Sequence, residues 1–383
     1  MTTAAGISFT LTPEQRELQA LAREFAANEL RPIASEWDAK DDFPPDLLAK
    51  AARLGLTTTR IPREYGGAGV DAVTAALVAE ELSWGCAGLA ATIGATLFPV
   101  RPLMRFGTEE QRQRYLPRLA SEEGCLAAIA FTEPHAGSDV SAIRSTARRD
   151  GDCWVLAGEK CYITNGGIAE VTIVFARTEV GISAFLVELD DPGVVTGRKE
   201  QKLGLRSSYT GSIVLDYARI PADRLLADDG AGFLVAMDFF EHSRPQVAAG
   251  AVGVARAAFE YASEYARERV AFGQPLLAKQ GVSFKLADMA MEIEAARLLV
   301  WRACAALDAD EDAGLLGSYA KAFAADTAMK ATTDAVQVLG GAGIMRDHPV
   351  EKWLRDAKVF QIVEGTSEIQ RHVIASYLRR GDG

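Results

Sequence analysis

The sequence predicts an α+β fold, mostly α, in three consecutive parts. These are an N-terminal helical domain over residues 1–124, a central antiparallel β domain over 125–231 and a C-terminal four-helix domain over 232–383. Three observations predict it. Apolar residues recur at helical spacing near the N-terminus. Short β-rich runs bounded by turn residues fill the middle. Long apolar stripes return after Gly232. A repeat of three to four residues marks one face of a helix, whereas short β-branched and aromatic runs between turns mark strands.

Thr12-Pro13-Glu14 supplies a capping hydroxyl, a proline at the first helical position and an early acid. Leu18, Leu21 and Phe25 follow on one face. Pro32 disturbs this helix. Further helical segments reach about Leu119, with breaks expected at Gly66-Gly67-Ala68-Gly69, Pro99 and Pro102. The runs 129–132, 154–156, 171–176, 183–187 and 212–215 read as strands, separated by turns such as Asp150-Gly151 and Asp191-Pro192-Gly193. They suggest a small antiparallel sheet or a barrel ending near Pro221. Beyond Gly232, Val252, Ala255, Phe259, Ala262 and Ala266 share one helical face. Leu286, Met289, Ile293, Ala296, Val300, Ala303 and Leu307 form a longer stripe, and a third helix is expected at about 316–340. Such stripes are core faces before anything else, and together they point to a bundle.

Composition excludes several classes. The chain has 383 residues, 49% of them hydrophobic, and a net charge of −11. That length supports a large core, and the acidic balance argues against nucleic acid as a partner. The five cysteines, Cys86, Cys125, Cys153, Cys161 and Cys304, are scattered without a CxxC pair, so neither a disulfide framework nor a metal site is expected. Residues 1–11 lack the pattern of a secretory leader, and no uninterrupted apolar run suggests a membrane span. The expected location is cytoplasmic.

Five segments could carry chemistry. Phe131-Thr132-Glu133-Pro134-His135-Ala136-Gly137-Ser138-Asp139 follows a strand and is rich in hydroxyls and small residues, which lets backbone N–H groups approach an anion or carbonyl. Cys161-Tyr162-Ile163-Thr164-Asn165-Gly166-Gly167 alternates an aromatic and a hydroxyl on one strand face, suited to a flat ring. In Val363-Glu364-Gly365-Thr366-Ser367-Glu368-Ile369-Gln370-Arg371, the Ser367/Gln370 spacing suggests a capping box, with Glu364 in the loop before a helix. In Arg267-Glu268-Arg269, followed by Phe272-Gly273, the arginines could bind a pyrophosphate. Gln337-Val338-Leu339-Gly340-Gly341-Ala342-Gly343 ends a helix. Taken singly, each is equally an ordinary turn, a helix-dipole partner, a solvated ion pair or a glycine cap. The glycines lack a GxGxxG fingerprint after a strand, which disfavours a Rossmann domain.

Their order and spacing carry more than any one of them. Residues 129–138, 162–167, 269–273, 337–343 and 364–371, together with Tyr65-Gly66-Gly67-Ala68-Gly69, resemble the motifs of the acyl-CoA dehydrogenase family in sequence order across essentially the whole chain. The resemblance implies FAD between the β domain and the C-terminal domain. Ile129, Phe131, Thr132 and Ser138 would line it, with Ser138 also at the thioester arm. Tyr162 and Thr164 would face the isoalloxazine. Arg269, Phe272, Gln280, Gln337, Gly340 and Gly341 would reach the FAD of a neighbouring subunit, and Thr366 and Glu368 the adenine dinucleotide end. Shared sites imply a homo-oligomer, with a tetramer favoured. Glu364 matches the family's catalytic base. Glu241, Ser243, Arg244 and Gly365 would border the substrate, with Arg244 organising the site. Some relatives carry the base at the position of Ser243, and serine cannot serve as one.

The implied reaction is α,β-dehydrogenation of a saturated acyl thioester to the trans-2-enoyl product. Glu364 would take the α-proton while hydride passes to flavin N5. The substrate would be acyl-CoA or an acyl-carrier-protein thioester, of short or medium chain, and the electron acceptor an electron-transfer flavoprotein. A flavin oxidase of the same superfamily and a non-catalytic scaffold are the other readings. Tyr162, where many relatives carry Trp, His135 and the acidic Glu368 depart from the pattern.

Overall fold

The computed structural model describes residues 9–381, so the expectation about a leader over residues 1–11 falls mostly outside it. Helix α1 (Pro13–Phe25) starts where the sequence places it: Thr12 accepts from Gln15 N–H, and the Gln15 side chain closes the capping box. A π-helical turn, Ala26–Leu30, precedes Pro32. Then come α2 (Ala34–Lys40), α3 (Leu47–Arg53), α4 (Ala72–Ala95), α5 (Val100–Phe106) and α6 (Glu109–Leu119). Pro102 does not break the chain as expected. It lies in the first turn of α5, where a missing N–H costs no helical hydrogen bond.

The strands are β1 (Ala127–Ala130), β2 (Thr146–Asp150), β3 (Cys153–Thr164), β4 (Val171–Arg177), β5 (Ile182–Glu188), β6 (Val194–Lys199), β7 (Thr210–Pro221) and β8 (Leu225–Leu226). They form one sheet in the order β6-β7-β3-β2-β4-β5-β8, with β1 beside β4. Its long ladders are antiparallel, but β1 runs parallel to β4 and a single β2–β4 pairing is also parallel. Among the described residues no pairing joins β6 to β8, so the sheet has two edges where the sequence left a barrel open. Strands β2 and β6 escaped the sequence reading because Thr146–Asp150 and Val194–Lys199 are polar and mostly exposed.

Helix α7 (Gly232–Glu268) follows, then a hairpin of β9 (Val270–Ala271) and β10 (Gln274–Pro275), α8 (Gln280–Asp308), α9 (Gly314–Leu339), α10 (Val350–Phe360) and α11 (Ser367–Arg380). The predicted stripes are buried: Leu286, Met289, Ile293, Ala296, Val300 and Ala303 in α8, and Val252, Ala255, Ala262 and Ala266 in α7. One core joins α1, α4, α7, α8, α9 and α10, so α4 packs into the C-terminal bundle. A second fills the space between α5, α6, one face of the sheet and the start of α7, and a third lies on the other face. The stretch Ala72–Phe106 is long and apolar enough to cross a bilayer, but it is mostly buried within the protein.

Candidate active site

The turn between α10 and α11 carries Glu364. Its φ is +55° and that of Gly365 is +86°, two successive left-handed residues. A Cβ at position 365 would lie 2.6 Å from Gln370 Nε2. A side chain on a left-handed residue costs about 1–2 kcal/mol, and three donor contacts hold the turn. Gln370 Nε2 donates to the carbonyls of Glu364 (3.1 Å) and Gly365 (3.0 Å), and Lys321 Nζ to that of Gly365 (2.6 Å). The helix cap lies one residue earlier than the sequence suggested. Thr366, not Ser367, caps α11 by accepting from Ile369 N–H, while Ser367 Oγ donates to Asp326. Gln370 is free for the turn because the expected Ser367/Gln370 box does not form.

Helix α7 brings Ser243 and Arg244 to Glu364. Ser243 Oγ donates to Glu364 Oε2 at 2.7 Å across 121 residues of chain. Burial pushes the Glu364 carboxyl up, while the Ser243 hydrogen bond and the charges of Arg244 and Lys321 act in the opposite direction. Glu364 is half-buried. Arg244 Nη1 reaches Ser318 Oγ at 3.4 Å, and its Nε has no hydrogen-bond partner. Glu241, two residues before Ser243, faces away from the carboxylate and accepts from Ala313 N–H (2.9 Å) at the start of α9. His242 Nδ1 lies 2.8 Å from the carbonyl oxygen of Asp238, so that nitrogen carries the proton. Arg101 pairs with Asp238 through two contacts of 2.8 Å.

The segment after β1 is organised from beneath. Glu133, buried, accepts from Lys160 Nζ (2.6 Å), Arg144 N–H (2.6 Å) and Ser145 N–H (3.0 Å), and Lys160 also donates to the Phe131 carbonyl (3.1 Å). Burial alone would raise the Glu133 carboxyl, but these donors outweigh it and hold it at about 2. His135 Nε2 stands 3.3 Å from Glu133. The Phe131 ring is buried and stacks on Phe175 at 3.8 Å. Ile129 and Thr132 are half-buried beside it, and Ser138 is exposed.

Tyr162 and Thr164 end β3. A bulge between Lys160 and Ile163 gives Tyr162 a φ of +59° and turns its ring outward, 64% exposed. Asn165 is buried, and its Nδ2 donates to the carbonyls of Ala127 (3.0 Å) and Thr92 (3.4 Å), tying β1 and α4 to the end of β3. The β9–β10 hairpin holds Phe272 at φ +54° and 96% exposed, and Arg269, Gln280, Gln337, Gly340 and Gly341 are exposed or half-buried. Thr366 is half-buried and Glu368 exposed.

These surroundings fit a flat, phosphate-bearing cofactor such as FAD. Two bulky aromatic rings stand outward on left-handed backbone, and a Cβ at Gly137, Gly273, Gly340 or Gly341 would meet nothing within 4 Å. Exposed aromatic surface on strained backbone is what a ring or partner surface covers. The structure brings together Glu364, Ser243, Arg244 and Gly365. It leaves Arg269, Phe272 and Gln280 on a projecting hairpin and its flank. Sequence reasoning missed Lys160, Glu133 as its partner, Lys321 and Gln370. One signal was available: Lys321 sits at an apolar position of α9, with Gly317, Ala324, Ala325 and Ala328 buried around it at helical spacing.

Family models described as the N-terminal, middle and C-terminal domains of acyl-CoA dehydrogenase match residues 12–123, 128–218 and 230–378. The chain is 45% identical over 377 residues to an acyl-CoA dehydrogenase of Bacillus subtilis, covering 97% of this chain and 99% of that one. Among solved structures it is similar to butyryl-CoA dehydrogenase from Megasphaera elsdenii, with a TM-score of 0.95 and 40% identity over 98% of this chain and 100% of that one. It is also similar to the prolyl acyl carrier protein oxidase AnaB, with a TM-score of 0.92 and 32% identity over 96% and 100% of the two chains.

Proposed function

This chain belongs to the acyl-CoA dehydrogenase family, and on that premise we propose which of its residues carry the reaction. The activity is FAD-dependent dehydrogenation of a saturated acyl-CoA to the 2-enoyl thioester. The observation that carries the assignment of roles is the Glu364 carboxylate, raised by burial, held by Ser243 and flanked by Arg244.

Glu364 removes the α-proton of the thioester. A carboxylate drawn out of water is a stronger base than one on the surface, because the charged form is the one burial penalises. Ser243 holds one oxygen and leaves the other to face the substrate. The Glu364 N–H, in the left-handed turn, is the donor that stabilises charge developing on the thioester oxygen. Arg244, without a carboxylate at ion-pair distance among the described residues, offsets negative charge in the same space. Bound FAD supplies the hydride acceptor. In this chain Ile129, Phe131, Thr132, Ser138, Tyr162, Thr164, Thr366 and Glu368 would hold it, with Arg269, Phe272, Gln280, Gln337, Gly340 and Gly341 reaching that of a second copy of the chain. The Thr366 oxygen accepts from Ile369, which leaves its O–H free to donate.

We further infer a homo-oligomer, a tetramer being favoured, a cytoplasmic location, an electron-transfer flavoprotein as acceptor, and domain limits at 124/125 and 231/232. The exposed hairpin supports the first and the five free cysteines the second. A carrier-protein thioester is the second reading, favoured by the likeness to the prolyl acyl carrier protein oxidase. The deciding experiment is an anaerobic titration of the purified yellow protein with saturated acyl-CoAs. Bleaching of the flavin band by one class, absent in Glu364→Gln, supports the reading. A yellow protein unmoved by every acyl-CoA but bleached by an acyl-carrier-protein thioester transfers it to the second.

A further inference from the structure

We propose that Lys321 is a positioning residue of the proton-abstraction step, clamping the Gly365 carbonyl from α9 and placing its ammonium beneath the turn that carries Glu364. The proposal rests on the reading of Glu364 as the base.

Lys321 has no exposed surface and lies beneath the α10–α11 turn, its Nζ 2.6 Å from Gly365 O. Three lysines are buried among the described residues. Lys160 and Lys352 each have a carboxylate at 2.6 Å, Glu133 and Asp356 respectively. Lys321 is the exception: among the described residues no carboxylate lies within ion-pair distance of it. An ammonium taken out of water without such a partner is unfavourable, and packing alone is met more readily by an apolar side chain of similar length.

The charged groups around it are Glu364 in the turn, Asp326 on α9 itself, Arg244 on α7 and Glu368 at the start of α11. Asp326 is already taken by Arg371 (2.7 Å), Gln361 (2.7 Å) and Ser367 (3.1 Å), and Glu368 is exposed to solvent. The α8 charges that reach α9, Lys285 and Glu292, are paired with Asp334 and Lys330, and on α10 Lys352 is paired with Asp356. Glu364 is therefore the nearby carboxylate that is neither solvent-exposed nor taken by another cation at ion-pair distance among the described residues. Burial lowers the Lys321 pKa to about 8, with Glu364 acting to raise it. Lys321 in turn acts to lower that of Glu364. One ammonium thus does two things: it fixes the left-handed turn that aims the carboxylate, and it opposes the protonation that burial favours.

The test uses the FAD-loaded protein and the variants Lys321→Met, Lys321→Gln and Lys321→Arg. Anaerobic flavin bleaching by the best saturated acyl-CoA is followed across the pH range. The two charge-free variants should move the acid limb of the rate up by about one pH unit, roughly a tenfold loss at a pH below both limbs. Lys321→Arg, which keeps the charge, should leave the limb near that of the wild type. A readout independent of turnover is the carboxyl carbon resonance of Glu364 in protein labelled at glutamate, identified by its absence in Glu364→Gln. It should titrate at higher pH in Lys321→Met. Folded charge-free variants whose limb and resonance titrate as in the wild type overturn the proposal, even if the rate falls. Unfolding of both charge-free variants also overturns it, since the lysine is then structural. Wild-type protein that no saturated acyl-CoA bleaches sinks the functional reading itself, a separate outcome.

Discussion

Glu364 joins three unusual properties in a single residue. Its backbone is left-handed, its carboxyl pKa is raised by burial, and its carboxylate is hydrogen-bonded by a serine. Replacement by Gln should abolish flavin bleaching by acyl-CoA while leaving FAD bound. The same change should stabilise the protein at neutral pH. A carboxyl whose folded pKa lies above its unfolded one stabilises the fold below the unfolded value, and loses that contribution as pH rises through the folded value. The gain from Gln is on the order of 1 kcal/mol for each tenfold change in the ionisation equilibrium. It should therefore appear in thermal melts at neutral pH and vanish at about pH 4, near the ordinary carboxylate value. Equal melting of the two proteins across this range would mean that Glu364 is not desolvated. Ser243→Ala should act on the rate profile instead. Its hydrogen bond favours the ionised base, so its loss should shift the acid limb of the bleaching rate upward, with FAD content unchanged.

Among the elements, the turn after β1 and strand β3 depend on one buried pair. Glu133 and Lys160 are 2.6 Å apart, and Lys160 also holds the Phe131 carbonyl. Removing one partner of a buried pair typically costs about 3–5 kcal/mol, because the other charge is left without compensation. Lys160→Met should accordingly lower the melting temperature and release FAD on dilution, and Glu133→Gln combined with Lys160→Met should recover part of the loss. A double variant no better than the single one would show that the pair is not coupled. With its pKa held at about 2, Glu133 adds stability above the ordinary carboxylate range, and that contribution is lost as pH falls through about 2. Two long helices show how elements yield to tertiary demands. Helix α4 has a non-helical residue at Cys86 (φ −162°, ψ 112°), and α7 runs on through Pro245. The amphipathic pattern alone shows neither.

For the whole molecule, the decisive feature is the β9–β10 hairpin. A phenylalanine 96% exposed on left-handed backbone is unfavourable in an isolated chain. If it reaches the cofactor of a second copy, cofactor retention and assembly are coupled. Phe272→Ala with Arg269→Ala should then lower FAD occupancy by visible absorbance, and added FAD should raise the mass seen by analytical ultracentrifugation. A variant that stays fully loaded and fully assembled would show that the hairpin serves neither.

The order of helical, β and helical parts, the faces of α7 and α8, the start of α1 and the five motif segments are all legible in the chain before it folds. Each of these is written in residues near one another: a capping hydroxyl, a repeat of three or four, a glycine that permits a left-handed turn. Glu364 was legible for the same reason, as an acid before Gly365 in a motif of fixed order. Its neighbours were not, because packing chose them. Ser243 meets Glu364 across 121 residues, Lys321 reaches Gly365 across 44, and Glu241 turns away to the start of α9. Packing also buries the ring of Phe131 while leaving that of Tyr162 exposed. Such partnerships depend on how helices and strands distant in sequence come together. A charge buried beside another is invisible until that packing removes the water between them.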